Sequence, residues 1–397
     1  MNFIFISPHF PHTYWQFCQR LSQNGVRVLG IADAPYEELQ PELRKSLTEY
    51  YRVGSMESYD EMYRAVAYFA HRYGRIDWIE SNNEYWLGQD AQLRTDFNVT
   101  TGIKTDRINF IKEKSEMKKC YLEGGIPTAR QTLASTGLEA VERFADEVGY
   151  PIIAKPDIGV GANGTYKIHN KEELADFFAK EPHALSYVVE EFITGDICSY
   201  DAIINSKGEP IFESMTAWPP SIMDIVNHQL ELTYYIEKSM TEPLRQLGRR
   251  TVKAFGVTRR FVHLEFFRLD RDRKGLGKAG DFVGLEVNMR PPGGYTPDMI
   301  NYAHSTDVYK IWADMVAFDE RRTGEGEQFF CAYASRRDIY RYRHSHDEVL
   351  SRYGDRMMMC ERLPEVFSAA MGHQMYTVRL NTVEEVKQFI DFVVEKE

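Results

Sequence analysis

Residues 150–169 read YPIIAKP-DIGVGANG-TYKIH, in which two apolar runs flank a loop rich in glycine. The apolar runs predict two β-strands, and the glycines between them predict a turn. The loop matches the spacing G-x-G-x-x-G, but the dinucleotide-binding form of this motif needs a helix after its last glycine. Because a strand pattern follows here, the sequence predicts a glycine-rich hairpin instead.

The predicted hairpin suits a polyphosphate ligand. Its glycines leave backbone N–H groups available as donors, and Lys155 supplies a positive charge at the base of the loop. The pattern of a P-loop is absent, because no lysine follows Gly164. A purely structural hairpin would also use glycine, so this loop by itself leaves both interpretations open.

A second group of polar residues lies in the strand pattern GLEVNMR at residues 284–290. Glu286, Asn288 and Arg290 are spaced by two, which places them on one face of a strand. Glu265 stands in the preceding strand pattern, HLEFF. Carboxylate and amide oxygens are ligands that Mg²⁺ prefers, and an arginine beside them can hold a transferred phosphoryl group. A solvated strand face would show the same spacing, but together with the hairpin this group favours a Mg–ATP site.

Strand and helix patterns alternate through the first hundred residues, which predicts βαβ units around a parallel sheet. A helix pattern at residues 58–73 is bounded by Ser58 as its N-cap and by Gly74 as its stop. The other helix patterns lie at residues 11–24, 83–97, 106–123, 138–148, 171–179, 241–255 and 383–396. The strand patterns lie at residues 2–7, 26–32, 76–80, 150–156, 165–169, 187–193, 198–205, 262–269 and 282–289.

The composition excludes several classes of protein. The 397 residues carry a formal charge of −11, from 48 Lys+Arg against 59 Asp+Glu, which argues against general nucleic-acid binding. No run of about 18 apolar residues occurs, so we expect no transmembrane helix and no membrane partner. The five cysteines are scattered without a CxxC pair, which is typical of a reducing compartment, and we expect a cytoplasmic location.

One basic and aromatic stretch stands out near the C-terminus, RRDIYRYRHSH at residues 336–346. In nucleic-acid-binding proteins this mixture indicates stacking on bases. Given the acidic balance of the whole chain, we interpret the stretch as a solvated face. A patch that contacts an anionic substrate is the alternative.

Taken in order, these motifs resemble those of the ATP-grasp superfamily over roughly residues 1–310. The resemblance implies an α/β fold with a Rossmann-like (pre-ATP-grasp) N-terminal domain around a parallel sheet. It further implies a small lobe with the glycine-rich hairpin and a large lobe that holds the adenine hinge and the Mg–ATP site. We expect these units at residues 1–105, 106–186 and 187–310, followed by a C-terminal lobe at residues 311–397.

The resemblance also assigns roles to individual residues. Those that would bind ATP are Lys114, Lys155, Gly159, Gly161, Gly164, Glu190, Glu191, Phe192, Ile193 and Asp196. Those that would hold Mg²⁺, with Mn²⁺ as a substitute, are Glu265, Glu286 and Asn288. Those that would act in catalysis are Arg290 and Lys155. Those that would contact the substrate are Arg290, Gly293, Gly294 and His228.

Enzymes of this superfamily phosphorylate a carboxylate with ATP, and an amine then attacks the acyl phosphate. The resemblance therefore implies small carboxylate and amine substrates, amino acids above all, and a homodimer. The sequence RPPGG at residues 290–294 resembles the loop after the arginine in L-amino-acid ligases. This loop favours a carboxylate–amine ligase.

Two other functions stay open at this point. The pair His228-Gln229 resembles one found in biotin carboxylases, but Leu230 and Glu231 stand where their catalytic lysine would follow. One alternative is therefore an ATP-dependent carboxylase of the biotin carboxylase or carbamoyl-phosphate synthase type. The other is a regulatory module that binds ATP without catalysis, although the intact acidic and basic residues of the Mg–ATP site argue against it.

Overall fold

The computed structural model describes residues 1–159, 164–218, 230–324, 326–364, 368 and 371–397. These residues form three β-sheets with helices packed on their faces. A parallel sheet at the N-terminus and antiparallel sheets after it confirm the predicted α/β class. Within the described ranges, every helix is too short or too polar to cross a lipid bilayer.

The N-terminal sheet has four parallel strands in the order β3-β2-β1-β4. The strands are β1 Asn2–Ile6, β2 Arg27–Ala32, β3 Glu49–Arg52 and β4 Trp78–Glu80. The helices of this domain are α1 Trp15–Gln23, α2 Pro41–Ser46, α3 Tyr59–Tyr73 and α4 Leu87–Asp96. Ser58 caps α3 by accepting a hydrogen bond from the backbone N–H of Glu61, and Gly74 ends this helix, as predicted.

The prediction of one continuous helix at residues 106–123 is wrong, because the helix is interrupted at Glu113. Two helices form instead, α5 Asn109–Lys112 and α6 Lys114–Glu123. Glu113 is extended, and Asp157 from the glycine-rich segment accepts hydrogen bonds from the backbone N–H and the hydroxyl group of Ser115, at 2.8 and 2.7 Å. This carboxylate satisfies the start of α6, so a tertiary contact sets the boundary of the helix.

The small sheet is antiparallel, with the order β5-β8-β6-β7. Its strands are β5 Gln131–Leu133, β6 Ile152–Pro156, β7 Tyr166–Ile168 and β8 Tyr187–Glu191. Helices α7 Leu138–Val148 and α8 Lys171–Lys180 pack on it through an apolar cluster. Because β6 and β7 pair directly, the glycine-rich loop joins two antiparallel strands, as predicted, although residues 160–163 lie outside the described part of the chain.

The large sheet has eight strands in the order β13-β12-β9-β10-β11-β14-β16-β15, and every neighbouring pair is antiparallel. The strands are β9 Gly195–Ile204, β10 Pro210–Trp218, β11 Thr233–Ile236, β12 Arg260–Leu269, β13 Phe282–Asn288, β14 Phe330–Arg336, β15 Met357–Arg362 and β16 Gln374–Leu380. Strands from residues 330–380 thus continue the sheet that holds β12 and β13. The division of the chain at residues 105, 186 and 310 stays a prediction.

In the described part of the chain, five further helices cover the large sheet and its junctions. They are α9 Glu242–Ala254, α10 Thr296–His304, α11 Val308–Phe318, α12 His346–Tyr353 and α13 Val383–Val394. Short 3₁₀ turns lie at Tyr36–Glu38, Ala134–Thr136, Ala184–Ser186 and Gly354–Arg356. Trp312 of α11 meets Phe17 of α1 edge to face, with ring centroids 4.9 Å apart, so the helices after β13 share a core with the N-terminal domain.

The solvated face predicted for residues 336–346 is wrong at its first two residues, because Arg336 and Arg337 are buried. The Arg336 guanidinium donates to the carbonyl oxygen of Val393 at 2.7 Å. The Arg337 guanidinium donates to the carbonyl oxygens of Leu230 and Ser368, both at 2.9 Å. Backbone acceptors from distant segments hold these arginines inside the fold, and a charge count along the sequence does not reveal them.

Buried charges join the N-terminal sheet to the large sheet. Glu80 at the end of β4 lies 3.0 Å from Arg94 of α4 and 2.6 Å from Arg260 of β12, and none of the three side chains is more than 4% exposed. Asp90 lies 3.8 Å from the Arg94 guanidinium. Burial opposes ionisation of Glu80, but Arg260 and Arg94 outweigh it and lower the pKa of this carboxyl. Arg260 also donates to the carbonyl oxygen of Met289 at 2.9 Å, just after β13.

The substitution Glu80→Gln tests this junction. We expect the variant to lose about 3–5 kcal/mol of the free energy of unfolding, because two buried guanidinium groups lose their shared carboxylate. Urea unfolding followed by tryptophan fluorescence measures the loss. Asp60→Asn, at an exposed ion pair with Arg64, is the control, with a change below about 1 kcal/mol. An equally small change for Glu80→Gln would contradict the structural role of the cluster.

Candidate active site

A cavity of about 680 Å³ opens where the three sheets meet. The small sheet contributes Lys155 and Glu190, the large sheet contributes Glu265 and Glu286, and the N-terminal domain contributes Glu84. Concave sites between lobes are the usual places for small-molecule ligands. The cavity is therefore the candidate active site.

On one wall of the cavity, two lysines form ion pairs with the same glutamate. Glu190 of β8 is buried, with Oε1 3.1 Å from Lys118 Nζ and Oε2 2.6 Å from Lys155 Nζ. Burial would raise the pKa of Glu190, but the two lysines outweigh it and lower the pKa to about 2. The two lysines therefore keep Glu190 ionised on the wall of the cavity.

Strand alternation separates Glu190 from its neighbour. The Glu191 carboxylate accepts hydrogen bonds from the backbone N–H and the guanidinium of Arg130, both at 2.8 Å. Its charge is thus neutralised by that arginine, while Phe192 and Ile193 continue the cavity wall. The Lys167 ammonium lies 4.0 Å above the centre of the Phe192 ring, a cation–π contact at the same edge of the small sheet.

Lys114 links the glycine-rich loop to the large sheet. Its ammonium group donates to the carbonyl oxygen of Gly159 at 3.2 Å and lies 3.5 Å from the Glu286 carboxylate. Lys114 occupies the first position of α6, so the Asp157 contact that starts this helix also places the lysine. Lys118 lies one turn further along and points into the same cavity.

The pairing of β12 and β13 places Glu265 directly opposite Glu286. Burial raises the pKa of Glu286, and the Glu265 charge adds to the rise. Asn288 lies on the same face, with Nδ2 3.5 Å from Glu265 Oε1. Like charges opposite each other destabilise a sheet unless a cation lies between them. Two carboxylates and an amide are the oxygen donors that Mg²⁺ prefers, so these residues fit this ion.

Such an ion would be held only in part by the protein. Among the described residues, no three histidine, cysteine or acidic side chains are arranged to hold a metal ion by themselves. Mg²⁺ ordinarily keeps waters and takes phosphate oxygens of its substrate as further ligands. The two glutamates and the amide therefore fit a shared Mg–nucleotide site better than a closed metal site.

His263 lies on the same face of β12 as Glu265 and orients this carboxylate. The Nδ1 atom of His263 lies 2.6 Å from Asp201 Oδ1, and its Nε2 atom lies 3.2 Å from Glu265 Oε1. Ser199 and Thr216 donate hydroxyl groups to the other oxygen of Asp201, at 2.6 and 2.8 Å. A chain of hydrogen bonds inside the large sheet thus fixes one carboxylate of the cavity.

Arg290 stands at the far end of the polar wall. Its Nη1 atom donates to the carbonyl oxygen of Pro291 at 2.8 Å, and its Nη2 atom lies 3.5 Å from Asn288 Oδ1. Gly293 and Gly294 follow and line the cavity beside it. Gly294 has a φ of 60°, which glycine adopts without strain, so the backbone turns closely past Arg290. An anion can lie against this arginine and the loop that follows it.

The part of the cavity wall beside Gly294 and His263 is apolar and aromatic. It is lined by Trp218, Leu232, Tyr234 and Met371. The rings of Trp218 and Tyr234 are stacked with centroids 6.1 Å apart, and Trp218 meets the His263 ring edge to face at 5.6 Å. Apolar side chains or planar rings of a ligand would find their environment here.

The structure brings most of the predicted site residues together. Those that line the cavity are Lys114, Lys155, Gly159, Glu190, Glu191, Phe192, Ile193, Glu265, Glu286, Asn288, Arg290, Gly293 and Gly294. Of the described residues predicted to bind ATP, Gly164 and Asp196 lie off the cavity wall, and Asp196 is exposed. Gly161 and His228 lie outside the described residues. The roles assigned to all these residues stay predictions.

Sequence reasoning missed five titratable residues of the cavity, Glu84, Lys112, Lys118, Lys167 and His263. Lys118 follows Lys114 by four positions, a spacing that places both on one helix face. His263 precedes Glu265 by two, which places both on one strand face. Glu84 comes just after a predicted strand, at the edge where parallel sheets bind ligands. These spacings were the available signals, and each is weak without the fold.

Comparison with known proteins gives the same architecture. Residues 148–294 match the family model of the ATP-grasp domain. The biotin carboxylase domain of 2-oxoglutarate carboxylase from Hydrogenobacter thermophilus superposes with a TM-score of 0.71 and 14% identity, over 100% of this chain and 90% of that chain. An L-amino acid ligase from Bacillus licheniformis superposes with a TM-score of 0.68 and 14% identity, over 98% and 97% of the two chains. These likenesses confirm the predicted ATP-grasp fold.

A curated relative with a named activity matches part of the chain. The L-arginine-specific L-amino acid ligase of Bacillus subtilis is 24% identical over 246 residues, which are 60% of this chain. The chain spans little more than half, 57%, of the length of that relative. The name of the relative describes the activity of that protein.

The substitution Glu190→Gln tests the charged wall. Because the pKa of Glu190 lies at about 2 instead of 4.5, its ionised form stabilises the fold above pH 4.5, and this stabilisation is lost as the pH falls towards 2. We expect the variant to lose about 3 kcal/mol of the free energy of unfolding near pH 7. The gap from wild type should shrink below about pH 4.5.

Chemical denaturation from about pH 7 down to about pH 3 measures this gap. Glu172→Gln, at an exposed position of α8, is the matched control and should follow wild type throughout. A Glu190→Gln gap that is the same at both ends of the range would show that Glu190 is not held ionised by Lys118 and Lys155.

Proposed function

From an ATP-grasp domain at residues 148–294 and the cavity that it shares with the N-terminal domain, we propose that this protein is an ATP-dependent carboxylate–amine ligase. The proposed reaction converts ATP, a carboxylic acid and an amine into an amide, ADP and phosphate, through an acyl phosphate. One observation carries the proposal: Lys155, the Glu265–Glu286 pair and the Arg290–Gly294 loop line one cavity. A phosphoryl donor and a carboxylate acceptor can meet there.

The nucleotide end is proposed to lie against the small sheet. Lys114, Lys118 and Lys155 supply positive charge for the phosphates. Glu190 would accept a hydrogen bond from the adenine amino group, since each carboxylate oxygen keeps a lone pair beyond the one that faces a lysine. Ile193 continues this wall as an apolar surface for the base.

The reacting end is proposed to lie between β13 and Arg290. Bound Mg²⁺, held by Glu265, Glu286 and Asn288, would neutralise charge on the phosphates. Arg290 would face the transferred phosphoryl group, where its fixed guanidinium stabilises negative charge as it develops. The N–H groups of Gly293 and Gly294 would hold the carboxylate of the acid beside it.

The proposed reaction has two steps, phosphorylation of the acid and attack by the amine. An oxygen of the acid attacks the γ-phosphorus, and ADP leaves with the electrons of the broken P–O bond. The amine nitrogen attacks the acyl carbon, phosphate leaves, and the amine loses a proton. Trp218, Leu232 and Tyr234 line this end of the cavity, and their apolar surfaces would limit hydrolysis of the acyl phosphate.

The substrates are proposed to be small molecules, amino acids among them. The L-amino acid ligase of Bacillus subtilis supports this class as a relative at 24% identity. The cavity of about 680 Å³ is within the size range of small-molecule sites, about 300–1,000 Å³.

The substitution Glu286→Gln tests the ligase. We expect ADP release in the presence of Mg–ATP, pooled amino acids and small carboxylates to fall by about 100-fold or more, because a metal-binding charge is lost. A coupled assay for ADP and phosphate measures the rate. Glu242→Gln, at a position 59% exposed, is the control and should keep the wild-type rate.

The same assay separates the alternatives. Release of ADP that depends on an acid and an amine, and that Glu286→Gln abolishes, would support the ligase and identify the substrate class. Release only with bicarbonate would assign the chain to the carboxylases. If ATP binds and no pool of acids, amines or bicarbonate produces ADP, a regulatory ATP-binding module would replace the proposed ligase.

A further inference from the structure

Glu84 is a charged residue of the cavity that the nucleotide site does not use. It follows β4 in the N-terminal domain, outside the matched residues 148–294. Its side chain is 14% exposed, and its Oε2 atom has no hydrogen-bond partner among the described residues. This atom lies 3.5 Å from Arg290 Nε, too far for a good hydrogen bond. A buried carboxylate oxygen in this state is costly unless a ligand supplies a donor.

The loop that carries Glu84 is held in place from both sides. Ser81 donates its backbone N–H and its hydroxyl group to Asp90, at 3.0 and 2.6 Å. Tyr14 donates its hydroxyl group to the carbonyl oxygen of Asn82 at 2.7 Å. Asn82 itself has a φ of 54°, a left-handed conformation that costs energy in a residue with a side chain and that is concentrated at binding sites.

The carboxylate of Glu84 itself favours a cationic group on the ligand. Burial raises the pKa of Glu84 and the nearby charge of Glu286 adds to the rise, while Arg290, Lys112 and Lys114 oppose it. A phosphate or a second carboxylate against Glu84 would add repulsion. An ammonium group would donate to the unpartnered oxygen and offset the cost of burying the charge.

Glu84 and Arg290 together match the two charges of a zwitterion. The ammonium and carboxylate groups of an amino acid are separated by one carbon, and the two protein charges lie 3.5 Å apart. The ligand carboxylate would face Arg290, Gly293 and Gly294, while its ammonium group would face Glu84. On the basis of the proposed ligase function, we infer that Glu84 binds the ammonium group of an amino-acid substrate.

The apolar end of the cavity indicates which probes to use. Trp218, Leu232, Tyr234 and Met371 surround the space in which a substrate side chain would lie. Apolar L-amino acids such as phenylalanine and leucine are therefore the first probes. Their analogues without the amino group, 3-phenylpropanoate and 4-methylpentanoate, have the same carbon skeleton and carboxylate but offer nothing to Glu84.

Calorimetric titration of the full chain, saturated with Mg²⁺ and a non-hydrolysable ATP analogue, measures this preference. All twenty common L-amino acids are screened, and the tightest is compared with its analogue that lacks the amino group. We expect wild type to prefer the amino acid, and Glu84→Gln to weaken its binding by about 10–100-fold. Binding of the analogue should change little, because it makes no contact with the lost charge.

The control variant is Glu57→Gln, which removes an exposed carboxylate that accepts a hydrogen bond from Tyr85. It changes the charge and the anchoring next to Glu84 without touching the cavity, and it should bind amino acids as wild type does. Glu84→Asp keeps the charge at a shorter reach and should bind between wild type and Glu84→Gln. The comparison of the amino acid with its analogue in wild type tests the inference even if the Glu84 variants do not fold.

Each outcome decides the inference. A wild-type chain that binds no amino acid, or that binds the analogue equally well, overturns it, as does a Glu84→Gln variant with unchanged affinity. Glu84-dependent binding of an amino acid supports it even when wild type releases no ADP. In that case the inference stands, and the proposed ligase activity fails.

Where wild type does release ADP, hydroxylamine as the acceptor distinguishes the two sources of the ammonium group. If Glu84 holds the amino acid that is activated, Glu84→Gln raises the KM of that amino acid in hydroxamate formation. If Glu84 holds the attacking amine, hydroxamate formation is unchanged, because hydroxylamine is neutral near pH 7, while amide formation with an amino acid falls. Unchanged kinetics in both assays overturn the inference.

Discussion

The buried carboxylate of Glu80 is the constraint on which the geometry of the site depends. It binds Arg260 of the large sheet at 2.6 Å, and Arg260 in turn holds the carbonyl oxygen of Met289 at 2.9 Å. Arg290 comes next along the chain, while Glu84 follows Glu80 by four residues in the N-terminal domain. One ion cluster thus sets the distance between the two sides of the cavity. Its burial makes that distance stiff, because separating the charges would leave them unpaired in the protein interior.

The Glu80 cluster pairs its charges, whereas several charges inside the cavity are incompletely neutralised. Glu190 shares its charge between Lys118 and Lys155, on the wall that is proposed to face the phosphates. Glu265 and Glu286 face each other across β12 and β13, with His263 and Lys114 close to them. Positive and negative surfaces within one cavity suit a nucleotide with its cation. They cost stability in the free protein, as preorganised sites often do.

Local sequence patterns predicted the elements whose boundaries are fixed by nearby residues. Helix α7 at Leu138–Val148 begins and ends where the sequence indicates, with a glycine at each boundary. Patterns failed where a distant group decides the structure. The break at Glu113 depends on a carboxylate from Asp157, and the burial of Arg336 depends on a carbonyl oxygen of Val393. Neither partner can be inferred from residues within one or two turns.

The sequence by itself determined the type of fold and the residues that resemble a phosphoryl-transfer site, because strand spacing puts Glu286, Asn288 and Arg290 on one face without any knowledge of the partner strands. Only the tertiary structure decided which charges meet. It placed Lys118 next to Glu190, His263 next to Glu265, and Glu84 next to Arg290. The physical reason is that periodicity is a property of one element, whereas charge pairing depends on distances between elements that the packing of the whole chain sets.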